Sequence, residues 1–181
     1  MQPKFAALLT ALAFAAAAPA MAADPTAATT NPDLQFAAEA ASGGHAEVAM
    51  AKEALQKTNR ADLRSFAQRM VDDHTKMNRQ LASLAEHQHL RLPRQAEGDD
   101  AAAVKRLSAL SGAQFDQAFV EQMVNDHRKT VDAFRTEAQN GEVAPLKTLA
   151  ASALPTLEEH LAMAEQLAQT GGEEKAQAPK E

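Results

Sequence analysis

Two stretches decide the reading of this chain. Residues 66–76 run FAQRMVDDHTK, and fifty-three positions later residues 119–129 run FVEQMVNDHRK. Phe, Met, Val, Asp, His and Lys recur in register as Phe66/Phe119, Met70/Met123, Val71/Val124, Asp73/Asp126, His74/His127 and Lys76/Lys129. Around the first copy, Leu63, Phe66, Met70, His74, Met77, Leu81 and Leu84 are spaced by threes and fours, the signature of one helix face turned to a core. Around the second, Val120, Met123, His127, Val131 and Phe134 do the same. In both copies a histidine occupies a place in the apolar row.

Working outward, the pattern predicts four long helices over about 33–57, 60–87, 113–140 and 145–170, with a short extra helix over 100–110. Strand signals are lacking: Val and Ile are scarce and no apolar–polar alternation appears. Asn31 or Asp33 caps the first helix, Asn140-Gly141 stops the third, and Pro145 suits the first turn of the fourth. Gly43-Gly44 interrupts the first helical pattern at about 1 kcal/mol per glycine. Pro155 is expected to kink the fourth helix or remove a hydrogen bond. The expected fold class is all-α, an antiparallel up-down four-helix bundle.

The ends read differently. Residues 1–22 carry a basic head, an apolar run and a small-x-small pattern at Ala20 and Ala22, which is a secretory signal peptide. Residues 23–32 read as a linker, 33–170 as the bundle domain and 171–181 as a disordered tail. The expected location is the periplasm. No later segment reaches the ~18 apolar residues of a membrane span. The chain has 18 basic and 24 acidic residues, a formal charge of −6, which argues against nucleic-acid binding. It has no cysteine, so disulfides, thiolate ligands and cysteine nucleophiles are excluded. No phosphate loop, nucleophile elbow or HExxH motif is present, and the chain reads as non-catalytic.

Placing both short turns of an up-down bundle at one end brings four groups to a common depth. Glu47, His74, His127 and His160 then lie ~18–27 Å below that end at ~1.5 Å per residue, one on each helix. Two readings stay open. In one, Asp73 faces His127 and Asp126 faces His74, and these reciprocal pairs pin the helices in register. The protein then has a structural or binding role in the envelope, with an envelope protein as its partner. In the alternative, Glu47, His74, His127 and His160 bind one divalent transition-metal ion, with Asp73, Asp126 and Glu159 as outer partners. A ferritin-type di-iron centre needs Glu-x-x-His, but Val71, Val124 and Leu157 stand three residues before the histidines.

Four blocks, FAAEAASGGHAEVAMAKEAL, LRSFAQRMVDDHTKMNRQLASLA, FDQAFVEQMVNDHRKTVDAFRTEAQNG and LPTLEEHLAMAEQL, resemble the bacterial domain-of-unknown-function family 4142. The resemblance spans about residues 34–167. Its pattern falls on Glu47, Asp73-His74, Phe115-Asp116, Asp126-His127, Pro155 and His160. It implies a ferritin-like helical bundle exported across the inner membrane. The family's "predicted outer membrane protein" label implies a peripheral place at the outer membrane.

Overall fold

The computed structural model describes residues 31–177, with side-chain surroundings described to residue 171. The signal-peptide reading, most of the linker and the last four residues lie outside this range. Among the described residues the fold is all-α: α1 (Pro32–Lys57), α2 (Ala61–His87), α3 (Gly98–Ser108), α4 (Gly112–Asn140) and α5 (Ala144–Gln177). No described helix is long and apolar enough to cross a membrane.

The caps explain the boundaries. Asn31 starts α1, its side chain accepting from Asp33 N at 2.9 Å and Leu34 N at 3.4 Å. His89 takes a left-handed conformation (φ 54) after α2, and Leu90 N reaches back to Ala85 O at 2.8 Å. This closes the helix as a Schellman turn. The glycine pair does not break α1, which runs unbroken from Pro32 to Lys57. Gly44 marks close packing instead: a Cβ there would clash with Asn78 Oδ1 of α2. Likewise α5 runs across Pro155 and on through Gly171-Gly172 to Gln177. A cost of ~1 kcal/mol per glycine is too small to end a helix that long by itself.

α1 packs along α2 and α4 along α5, while α1 also contacts α4, and α2 contacts α5. Hydrogen bonds at the two ends give the helix directions. The Asp33 carboxylate, at the start of α1, accepts from the backbone N–H groups of Glu142 and Val143 in the α4–α5 turn, at 2.8 and 2.5 Å. At the far end of α1, Lys57 Nζ donates to Ser108 O and Leu110 O just before α4, at 2.6 and 3.1 Å. So α1 and α4 run in opposite directions. α2 reverses α1 through three residues, and therefore runs the same way as α4.

This corrects the expected up-down arrangement. The two short turns lie at opposite ends, because the segment from 88 to 111, which includes α3, carries the chain back along the bundle before α4 begins. α3 is held against α1 by Ser42, whose Oγ donates to Asp100 Oδ2 at 2.6 Å and accepts from Glu97 N at 3.0 Å.

Parallel α2 and α4 also account for the repeat. Equal positions in the two copies meet at equal heights. Phe66 faces Phe119 with ring centroids 6.2 Å apart. Two helical turns on, His74 faces His127 at 5.5 Å. Between them Met70 and Met123 are fully buried in the same apolar cluster, which acts as a core layer.

Candidate functional site

The four predicted groups do come to one level. Glu47, His74, His127 and His160 are buried, with His127 and His160 0% exposed. The levels agree despite the wrong turn assignment because His127 sits mid-helix. It is ~20–23 Å from either end of α4, so counting from the wrong end changes little. The three imidazole rings form a triangle with centroids 5.2–5.5 Å apart.

Each ring has one nitrogen committed. His74 Nδ1 lies 2.9 Å from Glu47 Oε2. His127 Nδ1 lies 3.0 Å from the Met123 carbonyl and 3.4 Å from Glu47 Oε1. His160 Nε2 lies 2.9 Å from Asp73 Oδ2. A carbonyl or carboxylate oxygen can only accept, so each committed nitrogen carries the proton. The other nitrogens, His74 Nε2, His127 Nε2 and His160 Nδ1, then present lone pairs. All three are buried with no hydrogen-bond partner. One nitrogen from each ring lies within 4.8 Å of the others.

The electrostatics match this assignment. Burial pushes His127 below the usual histidine value, with His74 adding and Glu47 opposing. Burial also lowers His160, to about 4, against the opposing hydrogen bond from Asp73. Both rings are neutral at pH 7. Burial alone would raise Glu47, but the facing His74 and His127 outweigh it and hold the carboxyl at about 2. Asp73 is likewise lowered: burial opposes, while His160 and Arg69 prevail.

The remaining predicted residues divide. Asp73 bonds His160 on α5, its neighbour in the bundle, so the expected Asp73–His127 and Asp126–His74 pairs do not form. Those pairs required adjacent antiparallel helices, and α2 and α4 are parallel. Asp126 instead accepts from Gln122 Nε2 at 2.9 Å and lines a cavity. Glu159 pairs with Arg69 on the outside of the bundle. Glu47 sits behind His74 as its hydrogen-bond acceptor, and the group that could hold a metal ion comprises the three histidines.

Sequence reading missed two features. One is the Met123 carbonyl, which orients His127; a histidine four residues after any helical carbonyl could have suggested it. The other is a cavity of about 380 Å³ beside the histidines, lined by residues of α1 to α5 that no linear signal connects.

The chain belongs to the family described as Domain of unknown function (DUF4142), whose model matches residues 17–167. No curated protein matches it in sequence. Among solved structures, it is similar to a DUF305 fragment from Deinococcus radiodurans, with 17% identity and TM-score 0.68, covering 78% of this chain and 97% of that one. It is similar to a DUF305 protein from Streptomyces coelicolor, named as secreted, with 18% identity and TM-score 0.66, covering 78% and 93%. It is also similar to CopM in the Cu(I)-bound form, with 19% identity and TM-score 0.62, covering 76% and 96%. At these identities the likeness concerns the fold.

Proposed function

We propose that this DUF4142 protein is an exported metal-binding protein, holding one transition-metal ion between His74, His127 and His160. One observation carries the reading: each of the three buried rings keeps a nitrogen with no hydrogen-bond partner among the described residues, and the rings bring one nitrogen each within 4.8 Å of the others. Buried acceptors normally have partners. A water molecule has two O–H groups and would satisfy only two of the three. A cation satisfies all of them together.

The supporting residues fit the same role. Ligating histidines characteristically give their other N–H to a carboxylate or carbonyl, which fixes the tautomer and raises ligand basicity. Glu47, Met123 O and Asp73 do this here. Nitrogens ~2.0–2.1 Å from a metal stand about 3.4 Å apart in a tetrahedral arrangement. Separations of up to 4.8 Å close to that with side-chain rotations of about 1 Å. Neutral imidazoles suit copper, zinc, iron and nickel. Copper is the first candidate, supported by the Cu(I)-bound state of CopM, which shares the fold.

Export is supported by the signal-peptide pattern and by the similar structure named as secreted. We read the fold as ferritin-like, a reading supported by the single long connection between α2 and α4. A bound copper ion would supply tight, reversible coordination; the chain's residues hold it, orient the rings and exclude water.

The test is direct. The mature chain is purified and dialysed, and bound metal is measured by elemental analysis. It is then titrated with Cu(I) against a chromophoric chelator, and with Zn2+. One equivalent is expected, lost in the His74→Ala/His127→Ala double variant. Wild-type protein that takes up neither ion at micromolar concentration would refute the reading.

A further inference from the structure

A site this deep needs a way in. A cavity touches the histidine layer. Residues of all five helices line it, and Glu47 and His74 form part of its wall. Both are nearly fully buried, and each keeps an unpartnered polar atom, Glu47 Oε1 and His74 Nε2. The same cavity is lined by the partly buried Asp126 and Asp100 and by the exposed Asp99 and Glu39. Lys129 is the one cation on its wall.

We propose that this cavity is the inlet through which a hydrated metal cation reaches the histidines, collected by Asp100 and Asp126 and handed inward by Glu47. The inference rests on the metal-binding reading above. A cleft lined predominantly by one sign of charge, here five carboxylates against Lys129, focuses the field between apolar walls and raises the local cation concentration, speeding association by about 10–10³-fold. Here the apolar walls include Met50 and Phe134. Asp100 is fixed in place by Ser42 and Asp126 by Gln122, so the charges are held at defined points on the wall. Glu47 can serve at the inner end because Oε2 is tied to His74 while Oε1, 3.4 Å from His127 Nδ1, has no hydrogen-bond partner and can meet an arriving ion. Neither Asp100 nor Asp126 belongs to the three-histidine group, so they act on passage rather than on final coordination.

Cu2+ is the probe, since among divalent ions it binds nitrogen sites most tightly. Uptake by the mature full chain is followed by stopped-flow absorbance, and affinity by equilibrium competition. Two variants are compared: Asp100→Asn/Asp126→Asn inside the cavity, and Glu39→Lys/Asp99→Lys at its exposed rim. The rim variant keeps the test open if the inner one folds poorly. The expected result is an uptake rate at low salt at least about tenfold slower in either variant. Kd should change much less than the rate, and the wild-type rate should fall as salt rises. An unchanged rate in a folded variant refutes the inlet, and so does a Kd weakened in proportion to the rate, which would make the carboxylates ligands. Wild-type protein that takes up none of Cu(I), Zn2+ and Cu2+ refutes the metal reading itself, whereas wild-type protein that holds Cu(I) or Zn2+ but admits no Cu2+ refutes the inlet alone, which separates the two failures.

Discussion

Replacing His127 by Leu separates a histidine kept for metal from one kept for structure. His127 is fully buried, with Nδ1 bonded to the Met123 carbonyl and Nε2 without a partner. Leucine removes the orphaned Nε2, relieving ~1–3 kcal/mol of uncompensated desolvation. It also forfeits the Nδ1–H bond, about 0.5–1.5 kcal/mol. The Met123 carbonyl keeps its helical partner, and Glu47 keeps His74. The balance is about 1 kcal/mol in favour of the metal-free variant, or ~2–4 °C in Tm for a domain of this size. With copper the order reverses. At a free concentration one hundred times Kd, binding adds ~2.7 kcal/mol to the wild type and little to the variant. The assay is urea and thermal denaturation followed by circular dichroism, with chelator and then with buffered copper. A metal-free variant destabilised by more than about 1 kcal/mol would refute the reasoning, because the imidazole would then be holding the helices together.

Three further outcomes follow from particular contacts. Asp73→Ala leaves the fully buried His160 Nε2–H without an acceptor, but the Asp73 side chain is 32% exposed and the pair is partly screened. The expected loss is about 1–2 kcal/mol of stability with ~10–100-fold in metal affinity, and chelator competition that finds the affinity unchanged would contradict it. Asp33→Ala removes the acceptor for Glu142 N and Val143 N and should cost ~1–3 kcal/mol; an unaltered denaturation midpoint would show that the α4–α5 turn does not depend on it. Burial, and next the charge of Asp33, push the Glu137 carboxyl above its ordinary value. Folding therefore favours its protonated form, and that contribution is lost as pH rises through the folded-state pKa. Glu137→Gln should then melt higher than wild type at pH 8 and converge with it at acidic pH, whereas an equal difference at both would exclude the titration as cause.

The sequence by itself determined the helical class and the depth of Glu47, His74, His127 and His160. Both follow from local geometry. Apolar residues at threes and fours define a helix face, and a constant rise per residue turns position into height. That is why the depth of His127, near the middle of α4, is nearly the same whichever way the helix points. Helix direction was not legible, because the order of turns does not say where a long connection leaves the chain, and α3 with its flanking loops carries it back. Direction in turn decides neighbours. With α2 and α4 parallel, the repeated Phe and His positions meet as layers, Asp73 finds His160, and the identical aspartate of the second copy, Asp126, faces a cavity instead. Only the tertiary structure could settle which nitrogen of each ring is bonded and which is left bare. That choice depends on acceptors brought together from α1, α2, α4 and α5.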